Sequence, residues 1–472
     1  MKRTFFIILL ITNYSLLINK SFGQSITWQR TYDGPFNFRD YGNDVCLSEN
    51  VNFFIVGETQ NPNWSYAYVL KLNPYGDTIW TRIIDTVARF VSVTSSGDGG
   101  CVATAGSSTT KIDINGNIVW HKRYLSGGIN TYRIIKTIDG GYIACGRSTL
   151  TGISGYVFKT DSIGNLQWQR TYPAGEAKFL NDVVQANDGN YVLSGNVSES
   201  LTDTTRVLIM KINNVGDVIW EKRYMINNRA AAGFSINKLN NGYIVGGIGG
   251  SAITSQMFIM RVNEIGDSLF TKSYLTTKDE VFGDMKVINE NRYVIASFKD
   301  SIGQIFNGHA RITDSSGNIL TEKVFPSVNN IEIFSILPMP NRDILFVGTN
   351  GNNNTPPYWN VYAMRTDSML NSPPFGIQQI SSELPAEFKL YQNYPNPFNS
   401  STIVKFDLSK ENFISIKIYD YLGREVTTLF NGNLRIGAYS ISWDATNYSS
   451  GIYFCYMVSN KFSLVKKMVL IR

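Results

Sequence analysis

Lys159-Thr-Asp-Ser-Ile-Gly-Asn-Leu-Gln-Trp168 is one copy of a segment that returns along the chain. Others are Lys71-Leu-Asn-Pro-Tyr-Gly-Asp-Thr-Ile-Trp80, Lys111-Ile-Asp-Ile-Asn-Gly-Asn-Ile-Val-Trp120 and Lys211-Ile-Asn-Asn-Val-Gly-Asp-Val-Ile-Trp220. Arg261 to Phe270 replaces Trp by Phe, and a sixth copy begins at Arg311 with one extra residue. Upstream of each stands a second signature, Asp139-Gly-Gly-Tyr142 and Asp188-Gly-Asn-Tyr191 being clear examples, with weaker versions ending at Gly57, Gly106, Ser297 and Gly348. Gly-Asp, Gly-Asn and Asp-Gly between short alternating apolar runs supply the positive φ of tight hairpins. Each unit therefore reads as four antiparallel strands, and a repeat of this length built from four strands predicts a seven-bladed β-propeller spanning residues 24–367.

Trp28-Gln-Arg-Thr-Tyr32 repeats Trp168-Gln-Arg-Thr-Tyr172 residue for residue, yet it stands alone ahead of the first unit. The seventh unit stops after Asp367 without an outer strand. Residues 26–32 are expected to supply it and close the ring, since an uncovered sheet edge invites aberrant pairing.

Composition agrees with an exported β protein. Of 472 residues, 17% are charged and 13% aromatic, with 40 Gly, and the excess of six positive charges forms no cluster, so no nucleic-acid partner is expected. Lys2 and Arg3, the apolar run Phe5 to Ile11 and the small residues at Ser21 and Gly23 read as a signal peptide over 1–23. No membrane-spanning segment is expected in the mature chain. Cys46, Cys101, Cys145 and Cys455 show no close spacing and read as buried apolar residues rather than disulfide or metal partners.

The Gly-x-x-x-Trp spacing weakly resembles the docking motif of quinoprotein-type propellers. The vicinal Cys pair that family places beneath its cofactor does not occur here, so the Trp is read as packing between neighbouring sheets and no cofactor is expected.

Two constellations are candidate sites. The loops after the second strand vary in length and carry Trp64, Tyr66, Tyr358 and Trp359, which ring closure would bring together as an exposed aromatic surface for a glycan or a protein. Nine residues before each unit's Tyr-equivalent lie Asp44, Ser92, Arg133, Asp182, Phe234, Asp284 and Ser335, expected to face the central channel. Carboxylates there hold a cation or bond to neighbouring backbone. His121 and His309 form no His-based metal cluster or nucleophile triad, so a binding role without catalysis is expected; an extracellular enzyme using the channel carboxylates is the alternative.

Residues 368–386, with Pro373-Pro374 and Ser381-Ser382, read as a linker. Beyond it, over 387–472, period-two runs between turns predict a small β-sandwich. Leu390-Tyr-Gln-Asn-Tyr-Pro-Asn-Pro-Phe-Asn399, Tyr419-Asp-Tyr-Leu-Gly-Arg-Glu-Val426, Ser450-Gly-Ile-Tyr453 and Lys466-Lys-Met-Val-Leu-Ile-Arg472 resemble the type-A C-terminal sorting domain of the bacterial type IX secretion system. The match rests on Asn393, Pro395, Asn396, Pro397, Gly423, Arg424, Gly451, Lys466 and Lys467. The resemblance implies passage through the periplasm to the medium or cell surface. It also implies the secretion machinery and its sortase as partners, with attachment to surface lipopolysaccharide in many members.

Overall fold

Why the repeated segments turn where they do is visible at single residues. In the third unit, Asp161 Oδ1 accepts the backbone N–H groups of Ile163 (3.0 Å) and Asn165 (2.8 Å), while Gly164 takes φ of +81°. A carboxylate folded back on its own backbone fixes the turn, and only Gly enters the left-handed region without strain. Asn73, Asp113, Asn213, Asn263, Asp314 and Asp367 hold the corresponding turns in the same way. The last turn thus runs on to Asn371, with Leu370 in Gly's place at φ of +63°.

The computed structural model describes residues 26–471, apart from 126, 151, 174–176, 199–203, 252–253, 275–279, 301–305, 326–328, 353–357, 374–376, 382–383, 447 and 460–461. The expected signal peptide lies outside the described residues. All described regular structure is strand, and among the described residues no helix is long and apolar enough to cross a membrane.

Six units fold as four-stranded antiparallel sheets over 39–84, 92–123, 129–172, 177–224, 231–274 and 280–325. In the seventh, Asn330–Pro338, Ile344–Gly351 and Trp359–Thr366 pair in turn, and Trp28–Tyr32 lies antiparallel on the last of them, Trp28 opposite Arg365 and Tyr32 opposite Val361. The first strands of successive units touch in cyclic order, the seventh meeting the first. Apolar side chains of adjacent sheets merge into shared cores: Leu208 and Met210 pack with Cys145 and Val157, and Leu345 and Val361 with Phe53 and Leu70. All four cysteines are buried and unpaired.

The recurrent Trp is an inter-sheet clasp. Most outer strands carry runs of the form Trp-x-basic-x-Tyr, with Ile84 in place of Tyr in the first unit and Phe270 in place of Trp in the fifth, and these grip the third-to-fourth-strand turn of the next unit. Trp28, Trp80 and Trp168 donate from Nε1 to the carbonyls of Pro74, Ile114 and Asn214 at 2.8–3.0 Å. Tyr32, Tyr124, Tyr172 and Tyr274 donate to the carbonyls of Gly76, Gly164, Gly216 and Gly317 at 2.7–3.1 Å. A Cβ on Gly266 would stand 2.7 Å from the Trp220 ring, and one on Gly76 2.8 Å from Trp28, so the turn glycine is needed for close approach as well as for φ.

The C-terminal part is two facing four-stranded sheets around Ile377, Phe406, Ile416, Trp443, Cys455 and Met468. One sheet includes Ile377–Ser381, a strand inside the segment expected to be a linker. It covers the edge of Gly437–Asp444 and buries Ile377 (1% exposed), which explains strand formation in a stretch rich in Pro, Ser and Gln. Residue 378 also bridges to Trp28, Gln29 donates to the Pro373 carbonyl (2.7 Å), and Arg435 is ion-paired with Asp367. The two parts therefore meet through polar contacts.

Candidate functional site

The inner strand of six units carries a one-residue bulge at the same place, between Gly42 and Asp44 in the first and between Thr131 and Arg133 in the third. A bulge re-aims the side chain that follows it. The residues after the bulges are Asp44, Arg133, Asp182, Ser235, Asp284 and Ser335; unit two, whose short inner strand has no such shift, contributes Ser92. Ser235 replaces the expected Phe234, because the first hairpin of unit five turns tightly from Leu239 to Gly242 and shifts the count by one. Phe234 instead stacks on Phe282, ring centroids 6.1 Å apart.

These residues form an unbroken chain of inter-sheet bonds. Asp44 Oδ2 accepts Ser92 Oγ (2.7 Å) and Val93 N (2.9 Å), and Ser92 Oγ accepts Ile134 N (3.2 Å). Arg133 Nε lies 3.3 Å from Asp182 Oδ1, and Asp182 Oδ2 accepts Ile236 N (3.0 Å). Ser235 Oγ donates to the Met285 carbonyl (2.8 Å), Asp284 Oδ2 accepts Ile336 N (3.0 Å), and Ser335 Oγ returns to Asp44 Oδ1 (2.7 Å). Arg133 Nη1 also spans both oxygens of Asp44 at 3.1 Å, and Lys286 pairs with Asp284 at 2.9 Å.

Electrostatics follow from that geometry. Burial pushes Asp44 up, but Arg133 and the Ser335, Val93 and Ser92 donors outweigh it and hold its carboxyl below the usual range. Burial wins at Asp182, whose pKa is raised although Arg133 and Lys286 oppose the shift. Burial alone would weaken Arg133 as a base; Asp44, Asp182 and Asp284 reverse that and keep it charged. Among the described residues no group of three or more His, Cys, Asp or Glu is placed to hold a metal ion.

The aromatic constellation is partly as expected. Trp64 is 70% exposed at a hairpin tip, where Asn61 Oδ1 accepts the N–H groups of Asn63 (2.9 Å) and Trp64 (2.8 Å). Tyr66 and Tyr358 are half-buried. Trp359, expected to be exposed, is 5% exposed and stacks on Tyr41 at 6.2 Å, because it begins a strand and faces the seam between the first and seventh units. Phe36 meets Tyr66 at 5.5 Å and Phe38 meets Tyr358 at 5.1 Å, with the Arg39 guanidinium over Phe38 and Tyr358. Phe36 and Phe38 precede the first unit and Arg39 opens its inner strand, and none of them matches a repeat; the only sequence signal was aromatic residues alternating with polar ones.

A second buried network escaped sequence inspection. Glu280 accepts from Ser297, His309 Nδ1 (2.9 Å) and Arg311 Nη1 (2.7 Å), and His309 Nε2 and Arg311 Nε both reach Glu322 Oε1 at 2.9 Å. It joins four strands of the sixth sheet and is sealed from solvent at Glu280, so it organises the sheet rather than a surface site.

In the sandwich, Asn393 is buried and donates to the Pro395 carbonyl (3.1 Å) and Thr402 Oγ1 (2.9 Å); Asn396 Oδ1 accepts Val469 N (2.8 Å). The peptide bonds before Pro395 and Pro397 are cis. Gly423 forms a turn at φ of +77°, with Arg424 paired to Asp420 at 2.8 Å, and Gly451 opens the strand Gly451–Ser459. Lys466 is half-buried and Lys467 exposed on the final strand.

Residues 392–471 match the family described as secretion system C-terminal sorting domain. The chain thus carries a type IX sorting domain, is a secreted or cell-surface protein, and has the secretion machinery as a partner. No curated protein matches the chain. Among solved structures, PorZ, an essential surface component of the type IX secretion system of Porphyromonas gingivalis, is 13% identical over 93% of this chain and 60% of its own, with a TM-score of 0.42. A Bacteroides caccae protein of unknown function is 12% identical over 57% of this chain and 93% of its own, with a TM-score of 0.39. Likenesses this distant carry no weight for function.

Proposed function

We propose that the seven four-stranded units form a closed seven-bladed β-propeller. In this reading the exported protein binds a glycan or a protein through the face carrying Trp64, Tyr66 and Tyr358, with no catalysis and no cofactor of its own. Support for the ring comes from the cyclic contacts, the clasps and the axial bonds from Asp44 round to Ser335. The observation that carries the binding role is Trp64, a large aromatic left 70% exposed on a hairpin fixed by Asn61, beside further aromatic rings. Fixed, exposed aromatics contribute contact area at little entropic cost, as sugar and protein recognition both require.

The axial carboxylates favour the binding reading over the enzyme alternative. Asp44, Asp182 and Asp284 are each committed to backbone N–H groups and to a cation, which suits joining sheets better than proton transfer. Retention of the protein on glycan or cell-surface matrices, lost on Trp64→Ala with the unfolding midpoint unchanged, tests the proposal. Unaltered retention in that variant would remove the aromatic face from consideration. Mass analysis of the C-terminus of the exported protein tests removal of the sorting domain and exchange for lipopolysaccharide.

A further inference from the structure

Arg39 lies among the aromatic rings as a cation without a counter-ion. Its guanidinium carbon is 5.3 Å from the centroid of Phe38 and 6.0 Å from that of Tyr358. Among the described residues it makes no ion pair, and its buried Nε donates to nothing. Residues 353–357, which precede Tyr358 in the sequence, are Asn-Asn-Thr-Pro-Pro and contain no acid. The neighbouring Asp40 points to the opposite face of its strand, where Oδ2 accepts Gly34 N at 2.7 Å. Glu58, the closest acid on the adjacent strand, accepts from Gln60 at 2.6 Å.

Several other guanidiniums are matched by acids, although Arg147, over the Phe179 ring at 5.2 Å, shares with Arg39 a buried Nε that has no acceptor. Arg133 has Asp44, Arg311 has Glu280 and Arg365 has Asp343. Arg39 is partly exposed, so a guanidinium held by two rings with no acid beside it is placed to take an acceptor from outside. Flanking Phe36, Tyr66 and Trp64 offer faces on which the C–H side of a sugar ring stacks.

We infer that this face takes a saccharide chain bearing carboxylates, a polyuronate, and that Arg39 reads the charge while the aromatic rings carry the sugar faces. The inference rests on the proposal that the aromatic face binds glycan and adds the class of glycan. A planar guanidinium meets a carboxylate through two parallel N–H bonds, and an uncharged ester in the same place accepts far more weakly.

The experiment uses the full chain with three probes: polygalacturonate, the same polymer fully methyl-esterified, and carrageenan, which carries sulfate and no carboxylate. Binding is measured by calorimetry for the native protein, Arg39→Gln, Arg39→Lys and Trp64→Ala, with unfolding midpoints checking each fold. The native protein is expected to prefer polygalacturonate over its ester by about ten- to a hundredfold, the range of charge-assisted hydrogen bonds. Arg39→Gln should abolish the preference, and Arg39→Lys, which keeps charge without the fork, should retain part of it. Equal binding of acid and ester, a preference that survives Arg39→Gln, or tighter binding of carrageenan would each overturn the inference. If the ester binds as well as the acid and Trp64→Ala removes both, the glycan proposal stands and the charge inference falls; if no polysaccharide binds, both fall.

Discussion

The hydroxyl of Tyr32 donates to the carbonyl of Gly76 at 2.8 Å, 44 residues further along the chain, and the bond is buried. This is the clasp that joins the seventh unit to the first, built from the same residue types as the clasps between consecutive units. Its Trp differs from the others in being fully buried: Trp28 is 0% exposed.

Trp28→Ala should therefore cost about 3–5 kcal/mol, the range for deleting a buried Trp, and Tyr32→Phe about 1 kcal/mol for one hydrogen bond. Trp168→Ala, at a half-exposed clasp, should cost less than Trp28→Ala. Denaturant titration of the three variants decides this, and equal losses at Trp28 and Trp168 would argue against a special role for the closing strand.

Gly266 and Gly189 have φ of +85° and +82°, but a Cβ on Gly266 meets Trp220 at 2.7 Å while one on Gly189 meets nothing within 4 Å. Both Ala substitutions incur the left-handed penalty, about 1 kcal/mol. Only Gly266→Ala must also displace the Trp. Its loss should exceed that of Gly189→Ala by about 1 kcal/mol or more in thermal unfolding.

Two buried acids predict opposite pH behaviour. Burial raises Glu280, but bonds from His309, Arg311 and Ser297 reverse this and bring it to about 2. Its contribution is complete above the unfolded value near 4.5 and disappears as pH falls towards 2. Asp40 is raised to about 6 by burial, only partly opposed by Thr59 and Gly34. The folded state then holds the proton more tightly, so stability declines as pH rises from about 4 to about 6. Glu280→Gln should be destabilising at neutral pH and progressively less so below pH 4.5. Asp40→Asn should be stabilising above pH 6, by up to about 2–3 kcal/mol, and close to neutral at pH 4. Unfolding free energies from pH 3 to 8 check both signs.

Arg133 lies between Asp44 and Asp182 and pairs with both, so Arg133→Met should leave the two carboxylates in each other's field without their cation. A loss of about 3–5 kcal/mol is expected at neutral pH, diminishing in acid as the carboxylates take up protons. A pH-independent loss would mean that the side chain matters for packing rather than charge.

What was legible in the sequence was whatever repeats. Turn residues such as Asp161 and Gly164 return at one register, and a fixed offset from Tyr191 or Tyr293 brings Asp182 and Asp284 to equivalent places on their strands. The offset fails where a turn shortens, which puts Ser235 rather than Phe234 after the bulge. Features that occur once left no periodic trace. Arg311 heads a repeat copy, but its partners Glu280 and His309 stand at places the other units fill with other residues, and Ile377–Ser381 is five residues amid Pro, Ser and Gln. Burial of Trp359 depends on Tyr41, a partner fixed only when the two ends of the chain meet.

The pairing of Trp28–Tyr32 with Trp359–Thr366 also sets a timetable. Gln29 finds Tyr362 at a separation of 333 positions, so the first strand has no partner until nearly the whole repeat array exists. The closure entropy of so long a loop grows only with the logarithm of its length, so the delay is kinetic more than energetic. A chain delivered from its N-terminus carries an orphan strand until Trp359–Thr366 emerges, and a product truncated before that strand leaves Trp28–Tyr32 without its partner.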